Sequence, residues 1–133
     1  MVLVCGSSNP SDEDWTTWTR AYSRAAAEHG VRSLFVVSRG GGPTARQRKE
    51  VITMLMEAHM NPVLEEFRTA VCSSSPMARA ITSAIGWLAG APGMRSFGNE
   101  QRDEALEYLG VPPEERSEIL QVVRRFEQEL RER

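Results

Sequence analysis

Four short apolar runs, separated by longer segments with helical periodicity, limit the fold of this chain more than any other feature. Residues 2–5 and 34–37 are continuous apolar runs of the kind expected for strands buried on both faces of a sheet, and residues 67–72 are predicted to form the third strand. Residues 94–97 form a weaker run with polar residues inside it, which predicts a strand at the edge of the sheet. Strands that alternate with helices predict right-handed crossovers and a mostly parallel sheet.

Capping residues predict where the helices begin. Ser11 with Asp14 three residues later, and Thr44 with Gln47, have the spacing of a capping box. Ser75 precedes a proline, and proline is well tolerated at the first helical position. We therefore expect the first three helices to begin directly after Ser11, Thr44 and Ser75.

Apolar stripes predict the buried faces of these helices, and glycine or proline predicts their ends. Gly30 is expected to end the first helix and the Asn61-Pro62 pair the second. The predicted stripes are Trp15, Trp18, Tyr22, Ala25, Ala26 and His29 in the first helix; Val51, Met54, Leu55 and Ala58 in the second; and Ile81, Ala84, Ile85 and Leu88 in the third.

The C-terminal third of the chain predicts two further helices. Asn99 is expected to cap a helix that runs to Leu109, and residues 113–132 repeat apolar positions at helical spacing with a charged outer face. The prediction is an α/β fold: one small domain with a mostly parallel four-stranded sheet flanked by helices, plus a C-terminal amphipathic helix. The domain spans residues 1–111, and the helix within 112–133 packs either on the domain or on a partner, including a second copy in a homodimer.

Composition excludes several classes of protein. The chain has 133 residues and a formal net charge of −2, which favours one globular domain and argues against nucleic-acid binding. No apolar run approaches the roughly 20 residues of a membrane span, so no membrane association is expected. Two cysteines are too few for a disulfide framework, and the first residues lack the pattern of a signal peptide. We expect a cytoplasmic protein.

Three loops qualify as a binding site, because ligands of parallel sheets bind at the carboxyl ends of strands. They are residues 6–8, 39–44 and 73–75, all rich in glycine or serine and all followed by helices whose N–H groups can meet an anion. The same residues also suit ordinary tight turns. The predicted ligand or partner contacts are Arg39, Gly40, Gly41, Gly42, Thr44, Arg46 and Arg48.

No familiar catalytic motif is complete. The triple glycine lacks the spacing of a phosphate-binding loop or a dinucleotide site. Arg79 follows Cys72 one residue too late for a cysteine phosphatase, and His29 and His59 have no other metal ligand near them in sequence. We therefore expect no catalytic residue, no metal and no cofactor, and a protein that is not an enzyme.

Residues 30–110 together resemble the anti-sigma-factor antagonist, or STAS-like, domains. The likeness is carried by residues 34–37 with the glycine-rich loop behind them, the segment 68–75, the short strand that ends at Phe97, and the helix 103–109. The resemblance implies a regulatory module that binds a protein partner and is controlled by phosphorylation in the loop after a central strand. The Asp-Ser-Ser-Gly motif typical of that loop is absent, and the hairpin that opens the typical domain has no room before Trp15.

The resemblance and the loops lead to two hypotheses of different classes. The first is a STAS-like protein-interaction module whose contact edge is the loop and helix start at residues 38–48, with Thr44 and Ser75 as candidate phosphorylation sites. A phosphate there would place nearly two negative charges in a neutral contact face. The alternative is a binding protein or enzyme for a small phosphorylated or acidic ligand held by the three loops.

Overall fold

The computed structural model describes residues 1–59, 67–88 and 93–132, and within them strands and helices follow one another in the predicted order. A 3₁₀ turn at Asn99–Gln101 lies between the last strand and the two C-terminal helices. The strands are β1 (Val2–Cys5), β2 (Ser33–Ser38), β3 (Arg68–Ser73) and β4 (Met94–Phe97), and the helices are α1 (Asp12–His29), α2 (Ala45–His59), α3 (Pro76–Leu88), α4 (Arg102–Tyr108) and α5 (Pro113–Glu132). The predicted α/β class is confirmed.

The four strands form one parallel sheet in the order β1-β2-β3-β4. Phe35 of β2 lies beside Val2 of β1 and Ala70 of β3, which fixes the register across the centre of the sheet. The prediction that residues 94–97 form an edge strand is confirmed, because β4 pairs with β3 alone among the described strands. The prediction that residues 2–5 are buried on both faces is wrong. β1 is the other edge strand, and its residues are only half-buried.

Helices α1, α2 and α3 cover one face of the sheet. Trp15 of α1, Val51 of α2 and Ile85 of α3 form a buried cluster, against which Met94 of β4 packs. A parallel sheet in sequential order requires this arrangement, because each crossover has the same hand and so places its helix on the same side.

Helices α4 and α5 cover the opposite face. Phe35, Val37, Ala70 and Cys72 of the two central strands lie in one cluster with Val123 of α5, and each of these side chains is almost fully buried. Leu106 of α4 completes the same cluster. The C-terminal helix therefore packs on its own domain and supplies part of the core.

Most predicted helix boundaries have the expected local geometry. The Ser11 hydroxyl accepts from the Asp14 N–H at 3.1 Å at the start of α1, and Gly30 ends the helix in the left-handed region at φ 60°. Residues 61–62 lie outside the described part of the chain. So do the side chains of Met54, Leu55 and Ala58, so the α2 stripe is tested only at Val51, which is buried.

Three predictions about helices are wrong. His29, predicted on the buried stripe of α1, is exposed. Asn99 is the first residue of the 3₁₀ turn and not an N-cap; its side-chain oxygen instead accepts from Arg102 at 3.3 Å. In α3, Ala84 and Leu88 are exposed, while Thr82 and Gly86 are buried beside Ile85. The stripe was misassigned because α3 is apolar on more than one side, so apolar spacing alone does not select the face that meets the sheet.

A mostly buried ion pair ties α5 to α4. Both terminal nitrogens of the Arg102 guanidinium, Nη1 and Nη2, donate to the Glu127 carboxylate, at 3.2 and 2.7 Å. This hydrogen bonding to Arg102 lowers the pKa of Glu127 below its ordinary value, and burial opposes the shift only in part. The pair stabilises the fold where Glu127 is ionised, so its contribution is lost as the pH falls through the lowered pKa of the folded state.

We expect Glu127→Gln to lower the free energy of unfolding at neutral pH by about 2 kcal/mol, because the amide leaves a buried guanidinium without its counter-charge. The difference from wild type should shrink as the pH falls below the ordinary range of a glutamate pKa and through the lowered pKa of Glu127, because the wild-type carboxylate is then protonated. Urea unfolding as a function of pH measures the loss of unfolding free energy and its dependence on pH. Glu129→Gln, in an exposed pair with Arg125 at 3.9 Å, is the matched control and should change little. A difference that stays constant with pH would contradict this role for Glu127.

Candidate functional site

The glycine-rich loop after β2 is held by the side chain of the buried Ser38. The Ser38 hydroxyl donates to the Gly41 carbonyl and accepts from the Gly40 N–H at 3.1 Å. Gly40 has φ 115°, a conformation that side-chain-bearing residues rarely adopt. The loop is therefore fixed in shape by its own hydrogen bonds and by a backbone conformation that needs glycine.

Gly41 brings this loop into backbone contact with the loop after β1. Its N–H donates to the Gly6 carbonyl at 3.0 Å, and a Cβ built on Gly41 would lie 2.1 Å from the Ser8 carbonyl oxygen. The neighbouring Arg39 N–H donates to the Cys5 carbonyl at 3.2 Å. Two of the three loops predicted to converge are thus packed together at the carboxyl edge of the sheet.

The predicted capping box at the start of α2 is present and extends to α1. The Thr44 N–H donates to the Gln47 side chain at 2.9 Å, and the Gln47 N–H donates to the Thr44 hydroxyl at 3.3 Å. The Gln47 amide also donates to the Pro10 carbonyl and to the Asp12 carboxylate, each at 3.1 Å. Since Gln47 is almost fully buried, these bonds join the N-termini of α1 and α2 rigidly.

Ser75 caps α3 as predicted. Its hydroxyl accepts from the Ala78 N–H at 3.2 Å, and its own N–H donates to the Ser73 hydroxyl at 3.1 Å. The guanidinium of Arg79 donates to the Ser73 carbonyl at 3.0 Å. Arg79 therefore stabilises the turn between β3 and α3.

A cavity of about 440 Å³, here named the interhelix cavity, lies between the first turns of α2 and α3. Its lining includes Val36 and Val71 from the two central strands and Ile81 and Ile85 from α3. Its rim includes the loop 40–44, Arg48, Ser75 and Met77. Two capped helix N-termini and one arginine thus border a space that is otherwise largely apolar. This combination suits a small molecule, or a partner side chain, with an acidic end and an apolar body.

Most of the predicted contact residues meet at the interhelix cavity. Gly40, Gly41, Gly42, Thr44 and Arg48 all border it, and Ser75, the other candidate phosphorylation site, borders it from α3.

Arg39 and Arg46 lie elsewhere. Arg46 pairs with Asp12 at 3.3 Å and with Glu50 at 3.2 Å on the surface. The positive charge of Arg39 acts on Glu127 of α5 and helps to lower the pKa of that carboxyl group.

Neither cysteine has the character of a nucleophile. Cys72 is fully buried at the end of β3, and burial raises the pKa of its thiol to about 12. Burial raises the pKa of the Cys5 thiol to about 11. Both thiols are therefore protonated at neutral pH, whereas thiolate is the reactive form.

Neither a cluster of metal ligands nor a membrane-spanning helix is found in the described part of the chain. Its His, Cys, Asp and Glu side chains form no cluster of three or more that could hold a metal ion. No helix within residues 1–59, 67–88 and 93–132 is both long and apolar enough to cross a bilayer.

Sequence reasoning missed an apolar surface on the outer side of α3, here named the docking face. Met77, Trp87 and Leu88 are 73%, 82% and 58% exposed, and Ala80 and Ala84 between them are also exposed. The signal was available in the sequence, since Arg79 is the one charged residue in the 13 residues of α3. Exposed apolar side chains grouped on one side of a helix make the docking face a candidate interaction surface.

Comparisons with known proteins found no matching family model, no matching curated protein and no matching solved structure.

We expect Gly41→Ala to destabilise the protein by about 1–3 kcal/mol, because the added methyl group collides with backbone atoms of Ser8 and Gly6 that cannot move independently. Gly42→Ala is the matched control, since a Cβ there meets nothing within 4 Å. Thermal and urea unfolding of both variants measures the difference. Equal stability of the two variants would show that the contact between the loops does not constrain the fold.

Proposed function

We propose that this chain is a cytoplasmic, non-enzymatic regulatory module of the STAS-like kind, which binds an amphipathic helix of a partner protein on the docking face of α3. The single observation that carries the proposal is the exposure of Met77, Trp87 and Leu88 on a helix with almost no charge. Exposed apolar patches of this kind in a soluble domain mark interaction sites, and tryptophan is the residue most enriched among binding hot spots.

The shape of the docking face favours a helix as the occupant. Ala80 and Ala84 are small and lie between the larger Met77 and the Trp87–Leu88 pair. Small residues in the middle of a helix surface let a second helix approach closely, while large residues at its ends interdigitate with the partner. Because the face carries no charged side chain of its own, the matching side of the partner helix should be apolar as well.

The docking face is continuous with the interhelix cavity through Met77, which belongs to both. A partner seated on α3 would therefore also reach the rim formed by Gly42, Thr44 and Arg48. This joins the contact edge expected at residues 38–48 to the larger apolar surface. The loop then supplies polar contacts at the Met77 end of the interface, and Trp87 is the apolar anchor at the other end.

Phosphorylation of Ser75 would control such an interface. Ser75 caps α3 two residues before Met77, so a phosphate there would lie at the N-terminal end of the docking face. The free N–H groups and the helix dipole stabilise the charge in the unbound protein, whereas an apolar partner would have to remove its water. Thr44, the cap of α2, borders the same cavity and would act in the same direction.

We expect the double variant Trp87→Ser, Leu88→Ser to lose its partner while remaining folded, because both side chains are exposed in the isolated protein. Loss of an anchoring tryptophan should weaken binding by about thirtyfold or more. Capture from a lysate of the source organism, quantified by mass spectrometry, compares this variant with wild type and with Lys49→Ser, an exposed control on α2. A stoichiometric partner held equally by all three proteins would refute the docking face.

The alternative small-ligand hypothesis stays a prediction for the interhelix cavity. If wild type captures no stoichiometric partner at all, the docking proposal fails. A thermal-shift screen with nucleotides and phosphorylated metabolites then tests the cavity directly, since a bound ligand raises the melting temperature.

We expect Ser75→Asp to weaken partner binding by about tenfold while leaving the melting temperature unchanged or slightly higher, because aspartate is itself a good N-cap and adds a favourable charge at the helix start. Ser74→Asp is the matched control: Ser74 is exposed and adjacent, but the cap of α3 is Ser75. Titration of the captured partner against both variants gives the affinities. Equal weakening by the two substitutions would indicate a general charge effect and would contradict a switch at Ser75.

A further inference from the structure

The outer side of β1 presents backbone groups that no described strand uses. The Met1 and Cys5 carbonyls accept from the Phe35 and Arg39 N–H groups of the neighbouring strand and loop, at 2.9 and 3.2 Å. Residues of a parallel strand bond alternately to opposite sides, so the N–H and C=O groups of Val2 and Val4 point away from β2. Since β1 is the first strand in the sheet order, these groups form a free hydrogen-bonding edge within the described structure.

This edge lies at the bottom of a second cavity of about 440 Å³, here named the edge groove. Trp15 and Trp18 of α1 line it from one face of the sheet, and Leu130 of α5 lines it from the other. Its base is β1 from Leu3 onwards with the loop that follows, as far as Pro10. The strand edge is thus recessed between two helices.

Both tryptophans of the edge groove have unused hydrogen-bond donors. Trp15 is 7% exposed, yet neither its indole N–H nor that of Trp18 has a partner in the described structure. Buried indole N–H groups normally find an acceptor, and an unpaired buried donor is destabilising. Both nitrogens are also closed to solvent. A segment that enters the groove therefore contacts the carbon atoms of the two indole rings and not their N–H groups.

We propose that the edge groove binds an extended peptide segment of a partner protein, which adds to the sheet as a fifth strand beside β1. The backbone of the peptide pairs with Val2 and Val4, and its apolar side chains pack on the indole rings of Trp15 and Trp18. Strand addition of this kind obtains affinity from main-chain hydrogen bonds and specificity from pockets for alternate side chains. This site is separate from the docking face, which lies on α3 near the opposite edge of the sheet.

The recessed position of the edge selects a peptide over a second copy of this chain. Pairing of β1 with β1 of another copy would bring the α1 and α5 helices of that copy against α1 and α5 of this chain, which already line the groove on both sides of the edge. A single extended segment has no flanking helices and fits between them. β1 has four residues, so about four residues of the partner, roughly 13 Å of extended chain, would pair with it.

The lining of the edge groove also defines the side chains that the peptide should carry. Alternate residues of an added strand point to opposite faces, so one set meets Trp15 and Trp18 and the other meets Leu130. Both sets should be apolar. Asp14 is the charged residue of the lining, which favours lysine or arginine over acidic residues at that end of the segment.

The proposal is tested by selecting a display library of random dodecapeptides on the full-length chain and measuring the enriched peptides, synthesised with capped ends, by calorimetry. We expect enriched sequences with alternating apolar residues and no proline in the paired stretch. Hydrogen exchange on wild type should then show protection of the Val2 and Val4 amides when peptide is added. Absence of enriched peptides, or binding that leaves these two amides unprotected, would overturn the proposal.

Two substitutions complete the test. Val4→Pro removes a donor that points away from β2, so it should weaken peptide binding by about tenfold or more, whereas Val4→Ala keeps the N–H and is the control for the altered side chain. Trp18→Phe keeps a ring but reduces the apolar surface that the groove offers to the peptide, and should weaken binding several-fold even if the proline variant does not fold. Trp87→Ser, on the docking face of α3, should have no effect on peptide binding at the edge groove. A wild-type dimer that Trp18→Phe or Val4→Pro dissociates would identify a second copy as the occupant and refute the peptide.

Discussion

The two-sided burial of the central strands is the constraint on which the rest of this structure depends. Because the strands follow one another as β1-β2-β3-β4 and every crossover has the same hand, α1, α2 and α3 all fall on one face. Without further helices on the other face of the sheet, the side chains of Phe35, Val37 and Ala70 would be exposed to water. Helices α4 and α5 do so, and the Arg102–Glu127 pair joins them at a fixed distance. The amphipathic C-terminal helix is thus required by the topology that precedes it.

The same topology determines where a cavity can form. Parallel sheets usually bind ligands where the strand order reverses and neighbouring crossover helices diverge to opposite faces. This sheet has no reversal among its described strands, so α2 and α3 lie side by side on one face. The interhelix cavity lies between their first turns, above Val36 and Val71. Packing of Gly41 against the β1–α1 loop and the hydrogen bonds of Gln47 hold one wall of that space, so its rim is shaped before any ligand or partner arrives.

Local signals in the sequence were enough to predict the parts of the fold that depend on neighbouring residues. The hydroxyls of Ser11, Thr44 and Ser75 each accept the N–H three residues ahead, because capping depends only on the residues in that turn. Gly30 ends α1 for an equally local reason. Local signals also predicted part of the candidate site. Thr44 and Ser75 lie at the starts of neighbouring helices, and both border the interhelix cavity, as the order of strands and helices implies.

The errors concern properties that depend on distant parts of the chain. The run at residues 2–5 has the composition of a central strand, but whether a strand is central or at the edge depends on what pairs with it. Ala84 and Leu88 fit an apolar stripe as well as Ile85 does, and the sheet selects the face containing Ile85 because Thr82 and Gly86 beside it permit close packing. What remains outside is apolar surface that the domain itself does not need. The proposed docking face on α3 and the proposed peptide site at β1 lie at opposite sides of one sheet, so the two proposed partners would not compete for the same residues.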